Sequence, residues 1–307
     1  MLSSCKYCVV IPHRNVPDLL EKCMQSIPRL PYIHVLVVDN SDADEKAELV
    51  MDKFDCGFDG VTIIEREPHG VGYIRNEAIR YLREQHFSGK LVFADADDYF
   101  TANASRCFEQ YKDADFDLVW FGVEGRDEQG NVTSNADFIK QNLAVYCDEN
   151  DDGALRYNCG PLWGKFIGFG LIERNDLWFQ EIESCEDTLF SAKLGFYSEN
   201  PCVDLTALYV YVQRGGSLVM SMGTRKAKMG FEAAYDTTCW LKEQKSEKGY
   251  YWTQYNVIWH WMNWCHFDRK AWRSFPKVFG LCDKRSAMQG AMKVMKRKIR
   301  AKKNKMS

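Results

Sequence analysis

Short apolar runs and amphipathic stretches alternate along the first third of the chain. Residues 7–11, 34–38 and 61–64 are compact runs rich in strand formers, and residues 90–93 bring together Leu91, Val92 and Phe93. Runs of this length without a 3.6-residue period read as strands buried in a parallel sheet. Between them lie stretches with helical spacing: residues 17–27, with Asn15 nearby as a cap; residues 42–54; and residues 71–85, where Val71, Ile74, Ala78 and Leu82 fall along one face. Four such βα units predict a parallel, right-handed, doubly wound sheet. A helix over 102–112 and a strand over 116–121 follow. Gly- and Asn-containing stretches at 125–135 and 148–160 read as less regular, and from about residue 225 the pattern is helical. No internal repeat interrupts this order.

The run at 90–93 continues into Ala94-Asp95-Ala96-Asp97-Asp98, which places three carboxylates within four positions at the carboxyl end of a strand. In open α/β sheets that edge binds ligands. Acidic groups so close repel one another unless a cation or solvent relieves them, and an all-oxygen set suits a hard divalent ion such as Mg²⁺ or Mn²⁺. The plain alternative is a solvated acidic turn closing the strand.

Composition adds scale. A chain of 307 residues, 46% apolar and 14% aromatic, can bury a large core and fits one α/β domain of residues 1–220 with a helical appendage, 221–307. No apolar run approaches the ~20 residues that span a bilayer, and the N-terminal residues are strand-like rather than leader-like. The expectation is a cytoplasmic protein. Its twelve cysteines are scattered and read as reduced thiols; Cys5 and Cys8 form a lone C-x-x-C with no second pair at zinc-ribbon spacing. His13, His69 and His260 show no partner at ligand spacing and read as structural. The net charge of −3 hides a division, because residues 221–307 carry 20 Lys and Arg against 6 Asp and Glu, leaving 20 against 37 in the rest. Such asymmetry marks two surfaces with different partners.

Seven segments taken together carry a family resemblance: "VVIPHRNVPDLLEKCMQSI", "VLVVDNSDADE", "GVGYIRNEAI", "LVFADADDYF", "LWGKFIGFGLIERNDLWF", "SCEDTLFSAKL" and "YVYVQRGGSL". In order and approximate spacing they resemble the family 2 glycosyltransferases, and the likeness covers residues 6 to 220. It implies a GT-A fold, Rossmann-like with a mostly parallel sheet flanked by helices, and an inverting, metal-dependent transferase that uses a nucleotide-sugar donor, with UDP expected.

The resemblance also implies roles. Pro12 and Asp39 fall at the family's nucleotide site, Asp39 accepting a hydrogen bond from the base; capping of the following helix is the competing use of Asp39. Arg75 matches a nucleotide contact, with an exposed helix position as its alternative. Asp95 and Asp97 match the D-x-D that holds the ribose and the divalent ion, Mn²⁺ or Mg²⁺. Asp187 matches the catalytic base, with Glu186 in support; both also suit a helix start, for which Ser184 is a cap. Arg214 and Ser217 resemble a late motif that closes over the diphosphate. Trp163 matches a residue near the acceptor, or is plain core. The chain departs from the family at His13 and Arg14, where an aromatic residue is usual, and at Asn40, where a second acid is usual. "HGVGY" is weak as a phosphate loop.

The expected acceptor is a glycan or a lipid-linked hydroxyl in bacterial surface polysaccharide synthesis. Two other classes compete: a phosphatase of the haloacid dehalogenase type, which prefers Thr or Val where this chain has Tyr99, and a non-catalytic binder of sugar nucleotides or polyanions. From residue 291 to the end there are eight basic residues and no acid, and Met288, Met292, Met295 and Ile299 share one helical face. That pattern predicts peripheral attachment to the cytoplasmic membrane face, whereas the acidic folded part argues against nucleic acid. Trp252, Trp259, Trp261, Trp264 and Trp272 read either as interface or as helical core.

Overall fold

The computed structural model describes residue 2 and residues 5–53, 60–215 and 223–283. Its first half follows the hydrophobic pattern. β1 (Tyr7–His13), β2 (Ile33–Asp39), β3 (Val61–Glu65) and β4 (Lys90–Phe93) lie side by side in parallel, connected by α1 (Pro17–Ser26), α2 (Ala47–Lys53) and α3 (Val71–Glu84). β1 and β2 are buried almost throughout, as strands covered on both faces must be.

The second half is mixed. β5 (Tyr99–Phe100) and α4 (Ala104–Tyr111) lead to β6 (Leu118–Asp127); then come α5 (Asp137–Glu149), α6 (Gly153–Asn158), β7 (Lys165–Gly168), α7 (Phe169–Arg174), α8 (Glu186–Tyr197) and β8 (Pro201–Gln213). β7 runs antiparallel to both β4 and β6 and so joins the two halves. β8 lies parallel to β6 and antiparallel to β5, which gives the order β3-β2-β1-β4-β7-β6-β8-β5.

Several local expectations change. Asn15 does not cap α1: the cap position is Val16, Pro17 opens the helix, and Asn15, at a φ of 55°, binds Asp42 in both directions (2.7 and 2.9 Å). That exchange holds residue 42 in a loop, so α2 starts at Ala47 rather than five residues earlier. Residues 148–160 are largely helical, not irregular; α5 buries Asn142 beside Ile139 and Leu143, which blurs the apolar period. On α3 not only Ile74, Ala78 and Leu82 but also Arg75, Asn76 and Glu77 are buried, so Arg75 is no exposed helix residue.

Phe166 of β7 sits at the centre of the core. Its ring lies 4.6 to 6.3 Å, centroid to centroid, from Tyr7, Phe108, Tyr111 and Phe121, mostly at the tilted or edge-on angles that aromatic quadrupoles favour. The eleven described cysteines, Cys5 and Cys8 among them, are free thiols.

Beyond the sheet, α9 (Thr224–Glu243), α10 (Glu247–Phe267) and, after a 3₁₀ turn (Arg269–Ser274), α11 (Phe275–Leu281) share a second apolar cluster built on Phe231, Val257, Trp261 and Leu281. They dock on the first part: Trp252 packs with Val145 and Ala154, and Lys248 pairs with Asp151 at 2.9 Å. Trp252 and Trp261 are therefore core, while Trp259 and Trp272 are exposed. No described helix is long and apolar enough to cross a membrane. The basic stretch from 288 onward lies outside the described residues.

Because Phe166 touches rings from β1, α4 and β6 at once, few neighbours can collapse into the space it fills. Phe166→Ala is expected to cost about 3–5 kcal/mol, read as a lower urea midpoint at an unchanged m-value.

Candidate active site

β4 ends at Phe93, and Ala94 still donates to the Val10 carbonyl before the chain turns. The turn is closed by the Asp98 N–H on the Asp95 carbonyl (3.1 Å), so the three carboxylates converge; one oxygen from each lies within 4.8 Å of the others. They are not equivalent. The side chains of Asp95 and Asp97 are 34% and 29% exposed, whereas Asp98 is 2% exposed. Asp98 accepts from the Val212 N–H at 2.7 Å and so ties the turn to β8. Burial, with Asp95 and Asp97 beside it, holds its carboxyl well above the usual range. Spacing in the sequence does not show which of the three carboxylates turns inward, and the D-x-D match leaves Asp98 without a role.

Arg75 connects this turn to the opposite wall. From α3 its Nη2 donates to Asp95 Oδ1 at 3.0 Å and its Nη1 to Glu186 Oε1 on α8. The guanidinium lies 6.0 Å from the Phe93 ring and 5.7 Å from that of Phe179. Burial works against the charge on Arg75, and the two carboxylates more than restore it. Glu186 moves the other way: burial lifts its carboxyl above the ordinary value against the pull of Arg75. The segment before α8 is held to α3 by Asn76, whose amide exchanges hydrogen bonds with the Phe179 backbone (2.9 and 3.1 Å). Gly72 allows that approach, since a Cβ there would lie 2.3 Å from the Gln180 carbonyl oxygen. The glycine of "HGVGY" thus serves packing.

Glu186 and Asp187 open α8, but Ser184 does not cap it. The cap position is Cys185, left-handed at a φ of 66°, and no side chain bonds the first turn. The extra left-handed residue carries Ser184 out of reach of the helical N–H groups. Asp187 is half-buried and its carboxylate has no hydrogen-bond or ion-pair partner among the described residues. It lies close enough to Asp95 for its charge to raise that carboxyl. A buried ammonium that the sequence did not single out stands nearby: Lys165 donates to the Cys159 carbonyl (2.6 Å) and to Ser191 Oγ (3.3 Å). Burial lowers its pKa while Asp187 acts in the opposite sense.

At the other end of the edge, Pro12 pairs with Val38, and His13 lies in register with Asp39. Asp39 is buried with both oxygens engaged: Oδ1 by His13 Nδ1 (3.1 Å) and the Ser41 N–H (3.0 Å), Oδ2 by the Ala47 N–H (2.7 Å). Val16 donates its N–H to His13 Nε2 (3.3 Å), which assigns the ring proton to Nδ1. Burial by itself raises the Asp39 carboxyl, but these hydrogen bonds bring it down to about 2. The helix-capping use of Asp39 is therefore real, and His13 has the partner that spacing did not reveal. Asn40 donates to the His69 carbonyl at 3.0 Å.

Arg214, just after β8, donates to Asp97 Oδ2, so the last basic residue of "QR" closes on the acid turn. Ser217 lies outside the described residues. Trp163 is buried and stacks on Tyr209 (5.8 Å) and Tyr211 (5.3 Å) of β8. The Tyr209 hydroxyl in turn accepts the Asp95 N–H at 2.9 Å, which makes Trp163 a support beneath the acid turn.

No curated protein sequence matches the chain. Among solved structures, S. aureus TarS 1–349 in complex with UDP-GlcNAc superposes with a TM-score of 0.60 at 18% identity, over 86% of this chain and 74% of that one. The longer S. aureus TarS structure gives 0.61 at 17% identity, over 92% of this chain, which spans 50% of that protein. The mannosyltransferase PcManGT from Pyrobaculum calidifontis, with GDP-Man and Mn²⁺, gives 0.52 at 14% identity over 94% and 84% of the two chains. These likenesses show a shared fold, the GT-A fold with a helical C-terminal region. The family model for glycosyl transferase family 2 matches residues 8–169, more than half of the sequence, and the chain belongs to that family.

Proposed function

We propose that the protein is an inverting glycosyltransferase that moves one sugar from a nucleoside diphosphate donor, UDP-linked by expectation, onto the hydroxyl of a glycan or lipid-linked acceptor in bacterial surface polysaccharide synthesis. One observation carries the reading: Arg75 links the half-exposed carboxylates of the β4 turn to the start of α8, where Asp187, half-buried and without an ion-pair partner among the described residues, lies within electrostatic reach of Asp95. Family membership leaves no place for the phosphatase reading of the D-x-D.

The carboxylate oxygens of the β4 turn, within 4.8 Å of one another, fit a hard divalent ion, with Asp97 and Asp95 as its ligands. Bound there, Mn²⁺ or Mg²⁺ supplies positive charge against the departing diphosphate. Every other part of the reaction falls to side chains. Asp187 removes the proton from the acceptor hydroxyl as it attacks the sugar carbon from the face opposite the diphosphate. Glu186, held by Arg75, keeps the first turn of α8 in place. Asp39, whose oxygens are taken by His13, Ser41 and Ala47, serves the nucleotide end by fixing the loops after β1 and β2 there. Arg214, which pairs with Asp97, stands at the edge where the diphosphate would lie, and its planar guanidinium can bind two phosphate oxygens at once.

Membrane association belongs to the same reading. Trp272 and Phe279, 58% and 52% exposed, stand on the C-terminal helices just before the basic stretch. Aromatic side chains at the headgroup level and Lys or Arg worth ~1 kcal/mol each near an anionic leaflet would hold the enzyme beside a lipid-linked acceptor.

Three outcomes test this. Asp187→Asn keeps size but loses basicity, so kcat should fall ~10²- to 10⁴-fold while metal-dependent nucleotide affinity, measured by calorimetry, stays near that of the wild type. Asp97→Asn should weaken nucleotide binding in Mn²⁺ and abolish turnover together; equal damage from the two variants would remove the division of labour, and a wild type that binds donor without consuming it would leave only a binder. Deleting residues 288–307 should release the protein from anionic vesicles in flotation assays, and undiminished binding would sink the membrane reading.

A further inference from the structure

A cavity of about 430 Å³ opens between the start of α8, the loop 158–161 and one face of α10. It has the volume of a small-molecule site, and it is separate from the acid turn. Its position relative to the proposed base follows from helix geometry. Ser191, which lines it, is four residues after Asp187 and therefore on the same face of α8; Thr188, also lining it, is the next residue along. Lys165 ties its floor together through the Cys159 carbonyl and Ser191 Oγ.

The lining has a definite chemistry. Trp252, Tyr255 and Trp259 recur at three- and four-residue spacing and turn one face of α10 toward the cavity, and Phe138 of α5 stands across from them. Between the rings are amides. Asn256 donates to Asn158 Oδ1 (2.9 Å), which leaves its own oxygen as an acceptor, while the Gln141 amide and the Tyr255 hydroxyl have no hydrogen-bond partner among the described residues. Charge is scarce. Arg156, the one formally charged lining residue, spends its guanidinium on Asp152 and on the Gly195 and Ser198 carbonyls. Burial keeps His260 below its usual pKa, so it is neutral at pH 7. Flat rings that cover C–H faces, alternating with uncharged donors and acceptors, match a neutral saccharide better than a phosphate or a peptide terminus.

We propose that this cavity is the acceptor subsite, and that it holds a neutral sugar unit of the acceptor against α10 with a hydroxyl reaching back to Asp187. The inference rests on the transferase reading above, and it gives the C-terminal helices a recognition role that the sheet alone lacks. A third of the lining residues come from α10, so acceptor choice depends on residues beyond the part of the chain matched by the family model, 8–169.

The test uses the full chain and a panel of methyl glycosides of glucose, galactose, mannose, N-acetylglucosamine and N-acetylgalactosamine. Saturation-transfer NMR on the wild type should show binding of at least one glycoside, and that glycoside should accelerate consumption of the nucleotide sugar. Tyr255→Ala and Gln141→Ala should each raise the KM for it about tenfold, the effect of one lost stacking or hydrogen-bonding contact, with nucleotide affinity as in the wild type. Trp259→Ala, at a half-exposed position, gives a third variant that does not depend on the core. A KM left unchanged in all three variants overturns the proposal, as does a protein that consumes donor yet binds no glycoside; neither result touches the transferase reading. A protein that binds glycosides here but no nucleotide sugar does the reverse, retaining the saccharide site and removing the transferase.

Discussion

Arg75 is a cation inside the protein, and the rest of the site is arranged around the need to compensate it. A guanidinium removed from water is tolerated only when paired and hydrogen-bonded. Here the two partners come from different elements: Asp95 from the turn after β4 and Glu186 from the first residue of α8. The pair of contacts fixes the distance between the turn and the helix, and so brings Asp187 within electrostatic reach of Asp95. Removing one partner of such a buried network strands the others, at about 3–5 kcal/mol. The Phe93 and Phe179 rings, edge-on to each other at 5.6 Å, lie together against the guanidinium.

The same economy governs the acids. Three carboxylates in four positions repel one another, and the structure resolves this by giving each a different environment. Asp95 is held by Arg75, Asp97 by Arg214, and Asp98 turns inward, where burial favours its protonated form. Only the first two remain available to a cation from solvent. Asp97's partner, Arg214, comes from the end of β8, so the acid turn is tied to that strand through charge as well as through the Asp98–Val212 hydrogen bond. At the far end of the edge, His13 and Asp39 form a second closed unit. There the histidine fixes the carboxylate that α2 also uses, and the loop between β1 and α1 is thereby locked to the loop after β2.

The C-terminal helices are not an independent annex. α10 lays a row of aromatic and amide side chains along the wall that begins at α8, and Lys248 and Trp252 bind it to α6. Close backbone approach holds the two sides together: a Cβ at Gly195 would meet the Arg156 carbonyl oxygen at 2.3 Å, so α6 and α8 pack nearly backbone to backbone. One helix, α8, therefore carries both Asp187 and part of the cavity wall.

The parallel half of the sheet was legible in the sequence because each strand there is buried on both faces and reads as an unbroken apolar run, with punctuated helices between. The acid turn was legible for the same reason, since a strand that ends in three carboxylates announces a sheet edge. Of the mixed half, α4 and the start of β6 were legible and the short strands were not. β7 has four residues and β5 two, too short for any period, and α5 buries an asparagine where pattern expects an apolar residue. Ser184 and Asn15 looked like caps because capping is read from residue type, whereas the left-handed backbone at Cys185 and Asn15 is decided by what surrounds them. The sequence by itself thus determined the fold family, the edge that carries the chemistry and the residues gathered there. Tertiary structure alone decided which carboxylates face solvent, which one Arg75 claims, that His13 pairs with Asp39 and Lys165 with Ser191, and that a row of aromatics on α10 lines a cavity beside α8, because each of these depends on contacts between residues tens of positions apart.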